Sequence, residues 1–158
     1  MYYPPSLPIL LSDVNGRELA RFTVLLIVFA AISLPVHEYS HYGAALLTGG
    51  DGYMKENHFY PTRPSTWAPW LMPFAGGLGV AAIYALLSLA FNDPGEDIAV
   101  GYTLVEQLIY GLGEGALFAL GAASESSLSA WSLAGTVIAL AYVGVAFIGW
   151  FRSPSSAS

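Results

Sequence analysis

His37-Glu38-Tyr39-Ser40-His41 is an H-E-x-x-H pentapeptide, and it takes two of the three histidines in the chain. On an α-helix, residues i and i+4 lie on one face, about 40° apart around the axis. Two imidazoles placed this way can share one tetrahedral Zn²⁺, and the glutamate beside the first can act on a water at the metal. The plain alternative is a pair of helix histidines bonded to neighbouring carbonyls or to Glu38. The surroundings argue against it. Residues 22–36 carry no charge, and Tyr42-Gly43-Ala44-Ala45-Leu46-Leu47 follows the motif. Ionisable groups set into a lipid-embedded helix are expensive and as a rule functional. Residue type and context therefore point to a metal site formed by His37 and His41, with Glu38 as its catalytic base.

Composition supports the membrane setting. The chain has 158 residues, of which 55% are hydrophobic and only 10% charged. Soluble domains carry about 25% charged residues, so too little polar cover is available for a water-facing surface. The length suits one domain, 1–158. There is no cysteine, which leaves only N and O donors for a metal. A net charge of −6 without a basic patch speaks against nucleic acid as a partner.

The expected fold is all-α: an integral membrane bundle of about four transmembrane helices, with a polar loop or hairpin between the first and second. The spans are read at about 21–47, 68–91, 98–123 and 130–151. Pro4, Pro5 and Pro8 forbid a regular helix at the start and suggest an extended arm at the interface, with Tyr2 and Tyr3 at headgroup level. That start lacks the basic region and cleavage site of a signal peptide, so the first span is expected to serve as its own insertion signal. Ser12, Asp13 or Asn15 can cap the first helix. A first span of this length implies tilt or a kink at Pro35. Gly49 and Gly50 end it. Residues 53–67 form the most polar stretch, and Trp67, Trp70 and Tyr60 suggest an aromatic belt. In the second span, the run from Ala75 to Ala82 is rich in small residues, which favour close helix packing. Residues 92–97 and 124–129 read as turns. The fourth span has no ionisable residue and reads as scaffold. Charge flanks set the orientation: Arg17, Arg21 and Arg152 against Lys55 and Arg63 place both termini in the cytoplasm, with the protein in the cell membrane.

A catalytic zinc takes three protein ligands and keeps one open position. Helix rise narrows the choice of the third. His37 and His41 lie 16 and 20 residues beyond Arg21, or roughly 24–30 Å along the helix. The third span runs in the same direction. Counted from Ile98, Glu114 lies at about 24 Å and Glu106 at about 12 Å. Depth favours Glu114, and Gly111, Gly113 and Gly115 would let another helix approach it. Glu106 remains its rival. Either acid can instead be protonated and hydrogen-bonded to a neighbouring helix. His58 is a further possible ligand or substrate contact, or simply an interfacial loop histidine.

The implied reaction is hydrolysis. Zinc lowers the pKa of its water toward about 7 and polarises a carbonyl. Glu38 takes the proton and passes it to the leaving nitrogen. A helical peptide hides its carbonyls, so the substrate must unwind locally. Water must also reach the site, and the polar stretch at 49–67 and the Pro35 break are the expected ways in.

H-E-x-x-H late in a hydrophobic span, followed by glycines, a polar hairpin and a Gly-rich span, resembles the site-2 protease family of intramembrane zinc metalloproteases. The resemblance covers roughly residues 22–90. It implies zinc on His37 and His41, base catalysis by Glu38, and a membrane-embedded peptide or protein substrate alongside lipid. That family draws its third ligand from an Asp in an N-P…D-G type motif. Here the nearest segment is Asn92-Asp93-Pro94-Gly95, at the opposite membrane surface by the same count. The rival functions are a non-enzymatic membrane metal binder, a structural module, and an ion path through Glu106 and Glu114. Nothing in the sequence sets the oligomeric state.

Overall fold

The computed structural model describes residues 16–152; the side chains of residues 151 and 152 are not described. The N-terminal arm, its tyrosines, the expected caps at Ser12, Asp13 and Asn15, and the Ser-rich tail lie outside the described residues. Four helices account for most of the fold: α1 (Gly16–Leu47), α2 (Met72–Leu87), α3 (Pro94–Ala119) and α4 (Glu125–Arg152). A two-stranded antiparallel hairpin, β1 (Asp51–Lys55) and β2 (His58–Arg63), connects α1 to a short 3₁₀ turn, Pro69–Leu71, that leads into α2.

Three helical segments are long and apolar enough to cross a membrane: Gly16–Leu47, Pro69–Leu87 and Glu125–Trp150. Large apolar side chains stay exposed along α1 and α4, among them Val24, Ile27, Leu133, Leu140 and Val145, as expected of faces turned to lipid. α3 does not belong with these three. It carries Glu96, Asp97, Glu106 and Glu114, and it packs against all three other helices. Of these acids Glu114 is buried in the bundle and Glu106 half-buried against it, where partners are available, whereas Asp97 stays exposed near the helix start.

Local chemistry explains several of the boundaries. α1 continues through Pro35 as one helix of 32 residues, about 48 Å at 1.5 Å per residue. It ends where Gly49 takes φ 78°, with Gly50 N–H donating to the Ala45 carbonyl at 2.8 Å and Gly49 N–H to Leu46 at 3.3 Å. Glu56 and Asn57 both take positive φ, as a two-residue hairpin turn of type I′ requires. α3 starts earlier than the composition of 92–97 implied. Pro94 occupies its first position, and the Asp93 carboxylate accepts from Gly95 N–H at 3.3 Å. α4 starts earlier too. Ser124 Oγ accepts from Ser127 N–H at 3.2 Å, while Ser127 Oγ accepts from Ser124 N–H at 2.8 Å. This reciprocal cap brings residues 125–129 into the helix, where a turn was expected.

α1 and α3 run parallel. Near their starts, Arg21 Nη1 meets Asp93 Oδ2 at 2.6 Å. The small-residue run of α2 closes on α3 backbone to backbone, where a Cβ on Gly77 or on Gly111 would strike the other's main chain. Phe29, Val80, Tyr84, Ala99 and Val100 form the core, with the Phe29 and Tyr84 rings edge to face at 4.9 Å. The Phe29 carbonyl accepts from both Ser33 Oγ (2.7 Å) and Tyr84 Oη (3.2 Å), so these two buried hydroxyls are satisfied.

Candidate metal centre

The parallel course of α1 and α3 brings three donors to one point. His37 Nε2 and His41 Nε2 are 3.2 Å apart, and Glu114 Oε2 lies 3.4 Å from the first and 3.8 Å from the second. A tetrahedral ion with bonds near 2.0–2.1 Å sets its ligand atoms about 3.3 Å apart. The three separations cluster around that edge. His37 and Glu114 are buried and His41 largely so.

Proton accounting sharpens the picture. His41 Nδ1 lies 2.8 Å from the Met72 carbonyl. A carbonyl only accepts, so Nδ1 carries the proton and Nε2 presents a lone pair to the cluster. A proton on His37 Nε2 can serve His41 or Glu114 but not both. Glu114 Oε2 has no hydrogen-bond partner although it is fully buried. An uncompensated carboxylate away from water costs roughly several kcal/mol. One cation among the three donors removes that cost, and His37, His41 and Glu114 can hold a metal ion.

Space for it is kept by a missing side chain. Gly76 on α2 faces both imidazoles, and a Cβ there would run into Nε2 of His37 and Nε2 of His41 at once. The neighbouring glycines of α3 do what the sequence suggested: Gly111 admits the α2 backbone, Gly113 the Trp131 ring and Gly115 the Phe74 ring.

Glu38 points to the hairpin. Its Oε2 accepts from the Phe59 main-chain N–H at 2.8 Å. The donor is available because of register. Lys55 and His58 close the two-residue turn, so Met54 and Phe59 form the next pair, whose N–H groups face away from the partner strand. Phe59 and Tyr42 rings at 5.8 Å hold the hairpin against α1.

The other sequence candidates are elsewhere. Glu106 is not in the donor cluster; its Oε1 accepts from Thr136 Oγ1 of α4 at 3.1 Å. His58 is exposed at the start of β2, with Nδ1 donating to the Glu56 carbonyl at 3.0 Å, and takes no part. Asp93 caps α3 and pairs with Arg21 at the far end of the helix.

A cavity of about 490 Å³ opens beside the donors. His37 and Glu38 of α1, Glu106 and Glu114 of α3, and Glu125 and Ser132 of α4 line it. The route expected at Pro35 is not this one: a second cavity of about 410 Å³ there, walled by Pro35, Val36, Tyr39, Ser40 and Ile83, includes none of the three donors. Nor do residues 49–67 line the cavity at the site. The fourth span as read, 130–151, holds no acid or base, but the helix starts earlier and so brings Glu125 to the cavity.

Sequence reasoning missed Gly76, the Met72 carbonyl and the Phe59 N–H. Two of these are main-chain groups, which side-chain identity does not mark, and Gly76 lies within a small-residue run whose composition points first to helix packing. No family model matches this chain, and no curated protein and no solved structure matches it either.

Proposed function

We propose that this chain is an intramembrane zinc metalloprotease of the site-2 protease type, acting on peptide bonds of membrane-embedded peptides or proteins. The observation that carries the proposal is the convergence of His37, His41 and Glu114 beside Glu38, at the membrane depth of a helix apolar enough to span. The donor set of two imidazoles and one carboxylate is that of many catalytic zinc sites. Zn²⁺ held there supplies Lewis acidity, polarising a carbonyl and acidifying water. The protein's own groups do the rest. Met72 orients the His41 ring through Nδ1–H, and Phe59 orients Glu38 through its main-chain N–H. Glu38 takes the proton of the attacking water and returns it to the leaving amide nitrogen. Burial keeps these charge interactions strong. Positive flanks favour cytoplasmic termini in the cell membrane, with α3 counted as a crossing.

Glu38→Gln tests the proposal. The variant should retain one zinc per chain and lose cleavage of a membrane-spanning test peptide by about 10²–10⁴-fold. Stoichiometric zinc with no cleavage by the unaltered chain leaves a metal-binding membrane protein, and cleavage indifferent to Glu38 removes Glu38 as the base. A purified chain without zinc ends the metal reading.

A further inference from the structure

The cavity beside the donors has a charge pattern that hydrolysis alone does not explain. Of the eleven acidic residues in the chain, four line it: Glu38, Glu106, Glu114 and Glu125. Among the described residues, no Lys or Arg does. The polar positions fall into helical stripes. On α4, Glu125, Ser129 and Ser132 follow i, i+4, i+7; on α3, Glu106, Tyr110 and Glu114 follow i, i+4, i+8; on α1, Ser33 and His37 follow i, i+4. Three helices thus turn polar stripes to one space.

Chain direction orders the cavity by depth. Glu125 is the first residue of α4 and is exposed, on the side of the bundle where α3 ends. Glu106 is half-buried and lies eight residues, about 12 Å, below Glu114 along α3, where Thr136 bonds it. Glu114 sits on the wall between them, with Oε2 buried and lacking a partner.

We propose that this cavity is a hydrated vestibule through which a divalent cation reaches His37, His41 and Glu114, drawn in by Glu125 at its mouth and Glu106 at its floor. The inference rests on the metal reading of the site but not on proteolysis. A cleft of one charge sign with low-dielectric walls concentrates counter-ions and raises their association rate by about 10–10³-fold. This gives Glu106 a role without making it a ligand, and it places water access between α1, α3 and α4.

The experiment uses metal-stripped full-length protein in lipid nanodiscs, with Co²⁺ as the probe. Its uptake is followed by the visible absorption of tetrahedral Co²⁺ after stopped-flow mixing. Glu125→Gln combined with Glu106→Gln should slow uptake about tenfold at low ionic strength, with one ion per chain still bound at saturation. The deficit should vanish at high salt, where screening removes steering. In Glu106→Gln the side-chain amide oxygen can still accept from Thr136, so the packing contact survives. A second measurement does not depend on metal. The chain has no cysteine, so S132C and L140C each carry one thiol. A charged, membrane-impermeant maleimide should label S132C and spare L140C, which is exposed on the apolar part of α4. Unchanged uptake in the double variant, or a silent S132C, overturns the proposal. Wild-type protein that takes up no Co²⁺ defeats the metal reading itself, and this inference with it.

Discussion

α1 and α3 bring acid and base together twice, and the two meetings differ. Near the helix starts, Arg21 Nη1 and Asp93 Oδ2 are 2.6 Å apart, and the arginine side chain is 49% exposed. Asp93 also caps α3. Arg21 and Asp93 are thus paired, and both stay partly exposed. Near the helix ends, Glu114 meets His37 and His41 with a buried oxygen that has no hydrogen bond. The first is ordinary surface electrostatics, worth about 1 kcal/mol or less. The second leaves a buried acceptor open, and a cation among the three donors would complete it. Ion pairs that hold a fold together finish their bonding internally, and a site that binds an ion leaves its bonding open.

Perturbing the second meeting should have the largest consequence. On the proposed metal reading, Glu114→Ala should lower zinc affinity by more than about a hundredfold, beyond the loss typical of outer-shell groups, in a chelator competition assay. Next, Gly76→Ala should abolish or strongly weaken zinc binding while helical content by circular dichroism is kept, because the added methyl occupies the space over both Nε2 atoms. Intact zinc affinity in Gly76→Ala would place the ion elsewhere. Gly111→Val tests the scaffold between the two meetings. It sets bulk against the Gly77 main chain and should destabilise the bundle by about 1–3 kcal/mol, read as a lower unfolding midpoint. The smallest effect belongs to the first meeting. Arg21→Ala should cost at most about 1 kcal/mol and leave zinc content unaltered. A zinc loss there would show that the two ends are not independent.

Much of the site was legible because it is written in side chains and helix arithmetic. The pentapeptide names two of the three clustered donors and the glutamate beside them. Counting residues from Arg21 and Ile98 separates Glu114 from Glu106 by depth, and the donor cluster contains the former. The helical architecture follows from hydropathy, and the hairpin is one of the two forms, loop or hairpin, that the polar stretch allows. What escaped lies in two categories. The Met72 carbonyl and Phe59 N–H are main-chain groups whose use depends on tertiary placement and strand register. The acid at the cavity mouth escaped because a hydropathy reading starts the fourth helix at residue 130. The serine cap at 124 starts it at Glu125 and turns Glu125, Ser129 and Ser132 into one face.

The grip of Phe59 on Glu38 has a consequence for genetics. The contact is made by a peptide group, so replacing the ring at position 59 tests only its packing on Tyr42 and Gly52. Mutational scanning would attribute sensitivity at this position to hydrophobicity and overlook the tether. Among the encoded amino acids only proline removes the donor. A backbone ester, made by incorporating the hydroxy-acid analogue of phenylalanine, deletes it while sparing the ring.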